Sequence, residues 1–140
     1  DVLHILDQEG WPERVIMHCF SGGADLAREC VRHGAWLSFP GVLTFKNAER
    51  TRQALHATPV DKILVETDAP FLTPHPRRGK RNGPYLIAHT IRFLSEQLDW
   101  DEASCCEQLR RNTLAAYGGP WEDVHGVTPL QLPASGEETR

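Results

Sequence analysis

The chain has 140 residues, 40% of them hydrophobic, and a formal net charge of −4. That balance excludes an intrinsically disordered chain and a uniformly basic nucleic-acid binder. No apolar run approaches the roughly 18 residues that span a membrane, and no signal-peptide pattern opens the sequence, so no membrane partner is expected.

In chain order, residues 1–8 predict the end of a helix, with Leu3 and Leu6 on one stripe and Gly10 and Pro12 stopping it. Residues 15–18 predict a short strand. After Gly22-Gly23, residues 24–33 predict a helix with Gly34 at its C′ position. Residues 36–39 predict a second strand, closed by Pro40-Gly41, and residues 48–57 a helix ended by Pro59. Residues 62–67 predict a third strand, followed by a Pro- and Arg-rich loop over 70–84. Ile87, Ile91, Leu94 and Leu98 fall at helical spacing within 85–98. Asp99 and Glu102 predict a capping box for a last helix that runs to Tyr117 and stops at Gly118-Gly119. The segment 119–140 carries Glu122, Asp123, Glu137 and Glu138 against Arg140 and has no periodicity, which predicts a poorly ordered acidic tail.

Strands alternating with helices indicate βαβ units and a parallel sheet, hence an α/β fold. Three strands fill only part of a TIM (β/α)8 barrel, which takes about 250 residues. A doubly wound sheet competes, but no glycine-rich phosphate fingerprint follows any strand. The chain starts at Asp1 and its one methionine is Met17, which predicts a processed chain or a piece of a longer reading frame. Cys19, Cys30, Cys105 and Cys106 show no C-x-x-C spacing, and the adjacent pair is sterically poor for a disulfide. Reduced, buried thiols in a cytoplasmic protein are expected.

Two apolar runs end in metal-ligand residue types, His18 and Asp68. Barrels present catalytic groups at such strand ends, and a His with an Asp suits a borderline or hard divalent cation. His18 could instead hydrogen-bond a loop carbonyl, and Asp68 could cap the turn at Ala69-Pro70. In the functional reading, Asp68 binds a metal and takes a proton from the metal-bound water. Glu66 shares the strand face and lies one layer deeper, orienting a neighbouring group. Residues 69–95 contain no acid but do contain Arg77, Arg78, Lys80, Arg81 and Arg92. Arg78, Lys80, Arg81 and Asn82 in this loop look like a phosphate clamp. The loop would favour an anionic substrate, or be merely a solvated basic stretch.

HCFSGG at 18–23, GVLTFKNA at 41–48, VETDAPFL at 65–72 and RGKRNGP at 78–84 together resemble the TatD family of metal-dependent deoxyribonucleases, with Asn112 matching its C-terminal pattern. The resemblance implies the C-terminal portion of a TIM barrel, about three βα units over residues 1–118. It also implies cleavage of DNA phosphodiester bonds with two or three divalent metals, Mg, Mn or Zn. His18 then corresponds to a late ligand histidine and Asp68 to the final ligand aspartate. The family's early His-x-His, bridging Glu and further His have no counterpart, and His4 does not replace them. The N-terminal half of the same barrel is therefore an implied partner. Gly83 stands where the family usually has Glu. A metal-dependent amide, ester or aminoacyl-nucleic-acid hydrolase is the competing activity, and an inert truncated barrel the competing non-enzyme.

Overall fold

The computed structural model describes residues 2–118, so the predicted acidic tail at 119–140 lies outside the described residues. Helix α1 (Val2–Glu9) leads to β1 (Ile16–Met17), α2 (Ala24–Arg32), β2 (Trp36–Phe39), α3 (Glu49–Ala57) and β3 (Ile63–Val65). Helices α4 (Ile87–Gln97) and α5 (Glu102–Tyr117) follow the long loop. The strands form one parallel sheet in the order β1-β2-β3, with Met17 beside Leu37 and Leu37 beside Ile63. Successive strands pairing in chain order, each followed by a helical crossover, is the winding of a barrel; a doubly wound sheet reverses its order at a switch point.

The strands are short because their apolar runs are short, yet the ladder continues past their ends. Phe20 N–H donates to Ser38 (2.9 Å) and Glu66 N–H to Phe39 (3.2 Å). The core lies between sheet and helices: Leu37, Phe39 and Ile63 pack with Ala27, Cys30, Leu55, Leu94, Cys105 and Leu109. Helix α1 buries none of its residues and leaves Val2 and Ile5 mostly exposed.

Helix ends follow local chemistry. Gly34, at φ +83°, closes α2 as predicted, its N–H donating to Val31 while that of Ala35 reaches Cys30. The predicted Asp99/Glu102 box is corrected. Asp99 adopts φ +54° and terminates α4, with Trp100 N–H donating to Ser95. Asp101 is the N-cap of α5 and accepts from Ser104 N–H at 3.0 Å. All four cysteines are free; Cys30 and Cys105 are buried, but Cys106 is exposed, contrary to the expected burial. No helix among the described residues is long and apolar enough to cross a membrane.

Candidate metal site

His18, Glu66 and Asp68 converge just beyond the C-terminal ends of β1 and β3. His18 Nδ1 lies 2.8 Å from Glu66 Oε2, and its Nε2 lies 3.4 Å from Asp68 Oδ1. One donor atom from each residue can be chosen so that all three lie within 4.8 Å of one another. The period-two argument that put Glu66 and Asp68 on one strand face does not explain this, since β3 stops at Val65. The chain turns instead: Asp68 takes φ +53° and Phe71 N–H closes the turn onto Asp68 O at 2.8 Å. Cys19, at φ +49°, makes the matching bend after His18. Left-handed non-glycine residues are uncommon, and such strain concentrates at functional sites.

The two carboxylates are 14% exposed and the imidazole 72%, so the acids form the floor and the histidine the rim. Burial pushes the Glu66 carboxyl above its usual range, and the Asp68 charge adds to the rise. The Ser38 hydroxyl and His18 offset part of it. Burial, then the Asp68 carboxylate, raises the Cys19 thiol to about 11, so it is neutral at pH 7. Glu66 Oε1 and Asp68 Oδ2 are buried without a hydrogen-bond partner. Buried carboxylate oxygens left unanswered are costly, and a cation answers them. A histidine nitrogen and a carboxylate, with a second carboxylate against the far side of the imidazole, suit a divalent ion such as zinc or manganese. The residues present therefore fit the metal that the sequence implied.

The basic loop stands beside this floor and is braced from beneath. Gly41 lies so close to Leu72 O and Pro74 that no Cβ would fit there. Thr44 Oγ1 donates to Gly41 O and accepts from His75 N–H at 2.9 Å. Asn82, grouped by sequence with the phosphate clamp, is buried; its amide donates to Thr67 O and Phe71 O, both at 2.6 Å, and its Oδ1 accepts from Gly83 N–H. Both amide protons are spent inside the loop, which corrects its placement among the phosphate-facing groups. Arg78 lies 3.8 Å over the Phe45 ring. Lys80 and Arg81 are exposed, and no ion pair engages either among the described residues. At Gly83 the space where a side chain would begin is filled by the Tyr85 ring, whose Cε1 lies 2.5 Å from an idealised Cβ. His4, on α1, is not among the converging residues.

Sequence reasoning missed Ser38, Cys19 and Phe45 as neighbours of the site. Ser38 alone carried a signal, as the one polar residue in the strand Trp-Leu-Ser-Phe.

A singly wound parallel sheet with a His–Glu–Asp cluster beyond its strand ends defines the class: part of a TIM barrel built around a metal-capable site. The chain belongs to the TatD family, for the family model described as TatD related DNase matches residues 1–118. It is 45% identical over 121 residues to a Mycobacterium tuberculosis protein called uncharacterized metal-dependent hydrolase TatD, covering 86% of this chain and 46% of that protein. It is 49% identical over 98 residues to Bacillus subtilis YabD, also called an uncharacterized metal-dependent hydrolase, covering 69% and 38%. The chain thus spans less than half the length of these curated relatives. Among solved structures, the TatD homologue YjjV of Escherichia coli K12 superposes with a TM-score of 0.76 at 26% identity, over 84% of this chain and 45% of that one. A TatD family hydrolase of Entamoeba histolytica shares the fold, with a TM-score of 0.73 at 13% identity over 83% and 46%.

Proposed function

We propose that this chain supplies part of the active site of a divalent-metal-dependent hydrolase that cleaves phosphodiester bonds of DNA. The observation that carries the reading is the convergence of His18, Glu66 and Asp68, with two buried carboxylate oxygens left without partners. His18 and Asp68 would hold the metal. Glu66 accepts the Nδ1 proton of His18, which leaves the Nε2 lone pair on the side of Asp68 and fixes the ring, the usual carboxylate–histidine arrangement behind a metal ligand. When bound, a divalent cation polarises a phosphate oxygen and lowers the pKa of water toward ~7. Asp68 receives the proton of the attacking water as the phosphorus–oxygen bond to the leaving strand breaks. Lys80 and Arg81, with Arg78 stacked over Phe45, would draw the strand's phosphates to the mouth, so binding weakens as salt rises.

Catalytic zinc sites typically use three protein ligands, and multi-metal sites need more. The remaining donors are proposed to come from the rest of the barrel, its N-terminal half, and the 140-residue chain alone is expected to be inactive. The test is cleavage of labelled DNA by the full-length protein stripped of metal and then given Mg²⁺, Mn²⁺ or Zn²⁺. Cleavage that appears with metal and disappears with chelator is the expected result. Hydrolysis of an aminoacyl or carboxylic ester with none of DNA would replace the phosphodiesterase reading with the ester one. No hydrolysis of either would remove both.

A further inference from the structure

We propose that Phe71 and Tyr85 are base-stacking residues, forming an aromatic platform on which an unpaired nucleobase of the substrate strand rests beside the metal site. This rests on the nucleic-acid reading above and deepens it by naming what holds the base rather than the phosphate. Three aromatic side chains stand among the most exposed hydrophobic residues described: Phe71 at 72%, Tyr85 at 63% and Tyr117 at 63%. Two of the three belong to the loop that also carries Arg77, Lys80 and Arg81, in the acid-free span 69–95. Isolated exposed apolar residues need no explanation, but two rings rooted in one braced, cationic loop, Phe71 three residues from Asp68, do. Cationic grooves interleaved with exposed rings are how proteins hold single strands: the charges follow the phosphates and each ring takes the face of a base.

The backbone that carries the rings is tied down, which fixes where each ring is rooted. Phe71 N–H is tied to Asp68 O and Phe71 O to the Asn82 amide, so the backbone under the ring is fixed three residues from the carboxylate that would bind the metal. Leu72 follows at φ +54°, its carbonyl pressed against Gly41. Tyr85 sits in a 3₁₀ turn (Pro84–Leu86), and its ring lies over Gly83, next to the same Asn82. Asn82 is thus the common root of both rings. A bulkier residue at 83 would have to displace the Tyr85 ring from its present position.

The test is binding of short single-stranded oligodeoxynucleotides to metal-free, full-length protein, with affinity and 2-aminopurine emission as readouts. One oligonucleotide carries 2-aminopurine among ordinary bases; the other has the same length and phosphates but abasic sugars. The wild type is expected to bind the base-bearing strand about tenfold or more tightly than the abasic one and to quench its emission. Phe71→Ala and Tyr85→Ala should each weaken the base-bearing strand about tenfold and leave the abasic strand unchanged, with Phe71→Trp restoring affinity. Lys80→Ala should weaken both strands alike and reduce the salt slope by about one. Equal affinity for the two strands, equal losses on both in the aromatic variants, or no binding of either overturns the proposal. Base-dependent binding without cleavage once metal is added would remove the hydrolase reading and leave this one standing. Cleavage without base dependence would do the reverse.

Discussion

In the α4–α5 layer, the buried amide of Asn112 is fully answered. The Asn112 amide donates to Val60 O and Ile63 O, both at 2.7 Å, while its Oδ1 accepts from Gln108, so α5 is pinned under β3. Asp101 caps the helix, and Arg92 meets Glu102 between the two helices. Beyond the ends of β1 and β3, two acids share a partly buried floor, two of their oxygens have no partner, and Cys19, Asp68 and Leu72 hold left-handed backbone. The first region spends its polar groups on stability. The second keeps unanswered charge beside left-handed backbone; since Asp99 shows that a left-handed residue also serves an ordinary helix end, the partnerless carboxylate oxygens are what set the site apart.

Substitutions should divide along that line. Asp68→Asn is expected to lower hydrolysis by full-length protein roughly 10²–10⁴-fold, the range for loss of a general base. It should leave the melting temperature unchanged or raise it, because a repulsive neighbour of Glu66 is gone. A large drop in melting temperature would mean that the carboxylate belongs with the structural groups. Asn112→Ala reverses the pattern. It strips donors from two carbonyls beside the core and should cost about 2–3 kcal/mol in chemical denaturation, with kcat of the folded fraction unchanged. Glu66→Gln should weaken metal binding about 10–100-fold by calorimetric titration, the usual effect of losing the carboxylate behind a ligand histidine.

The smallest effect is at Asp101. Hydrogen bonds from Ser104 hold its carboxyl below the usual carboxylate range. A depressed pKa in the folded state means that the ionised cap stabilises α5 at any pH above the ordinary value of about 3.9. That contribution fades as pH falls through the lower, folded value. Asp101→Ala should therefore melt a few degrees below wild type at pH 7 and converge with it in stronger acid. A gap that persists unchanged in acid would show that the carboxylate is not the cap.

The element order was legible because three apolar runs alternate with helical spacing, and glycine and proline mark the breaks. Strand lengths were not, because an apolar run does not distinguish a paired ladder from the extended chain beyond it. β1 and β3 end before His18 and Glu66 for that reason. The helix cap was misplaced by two residues because Asp99 and Asp101 both precede α5, and only backbone conformation shows that one ends α4. His18 and Asp68 could be named from where their runs end. Their meeting depends on the turn at Asp68 and on the register that brings β1 and β3 beside β2. Asn82 was grouped with its charged neighbours because composition does not show which way an amide points. Phe71 and Tyr85 could not be singled out because exposure is a property of the folded surface.

Asn82 has a consequence for how this protein can change. Its side chain grips the peptide at Thr67, between the two acids, and the peptide at Phe71, so the loop's root and the carboxylate floor are one mechanical unit. The tips at Lys80, Arg81 and Tyr85 extend beyond that rivet. Substitutions at those tips are therefore expected to leave the relative positions of His18, Glu66 and Asp68 unchanged.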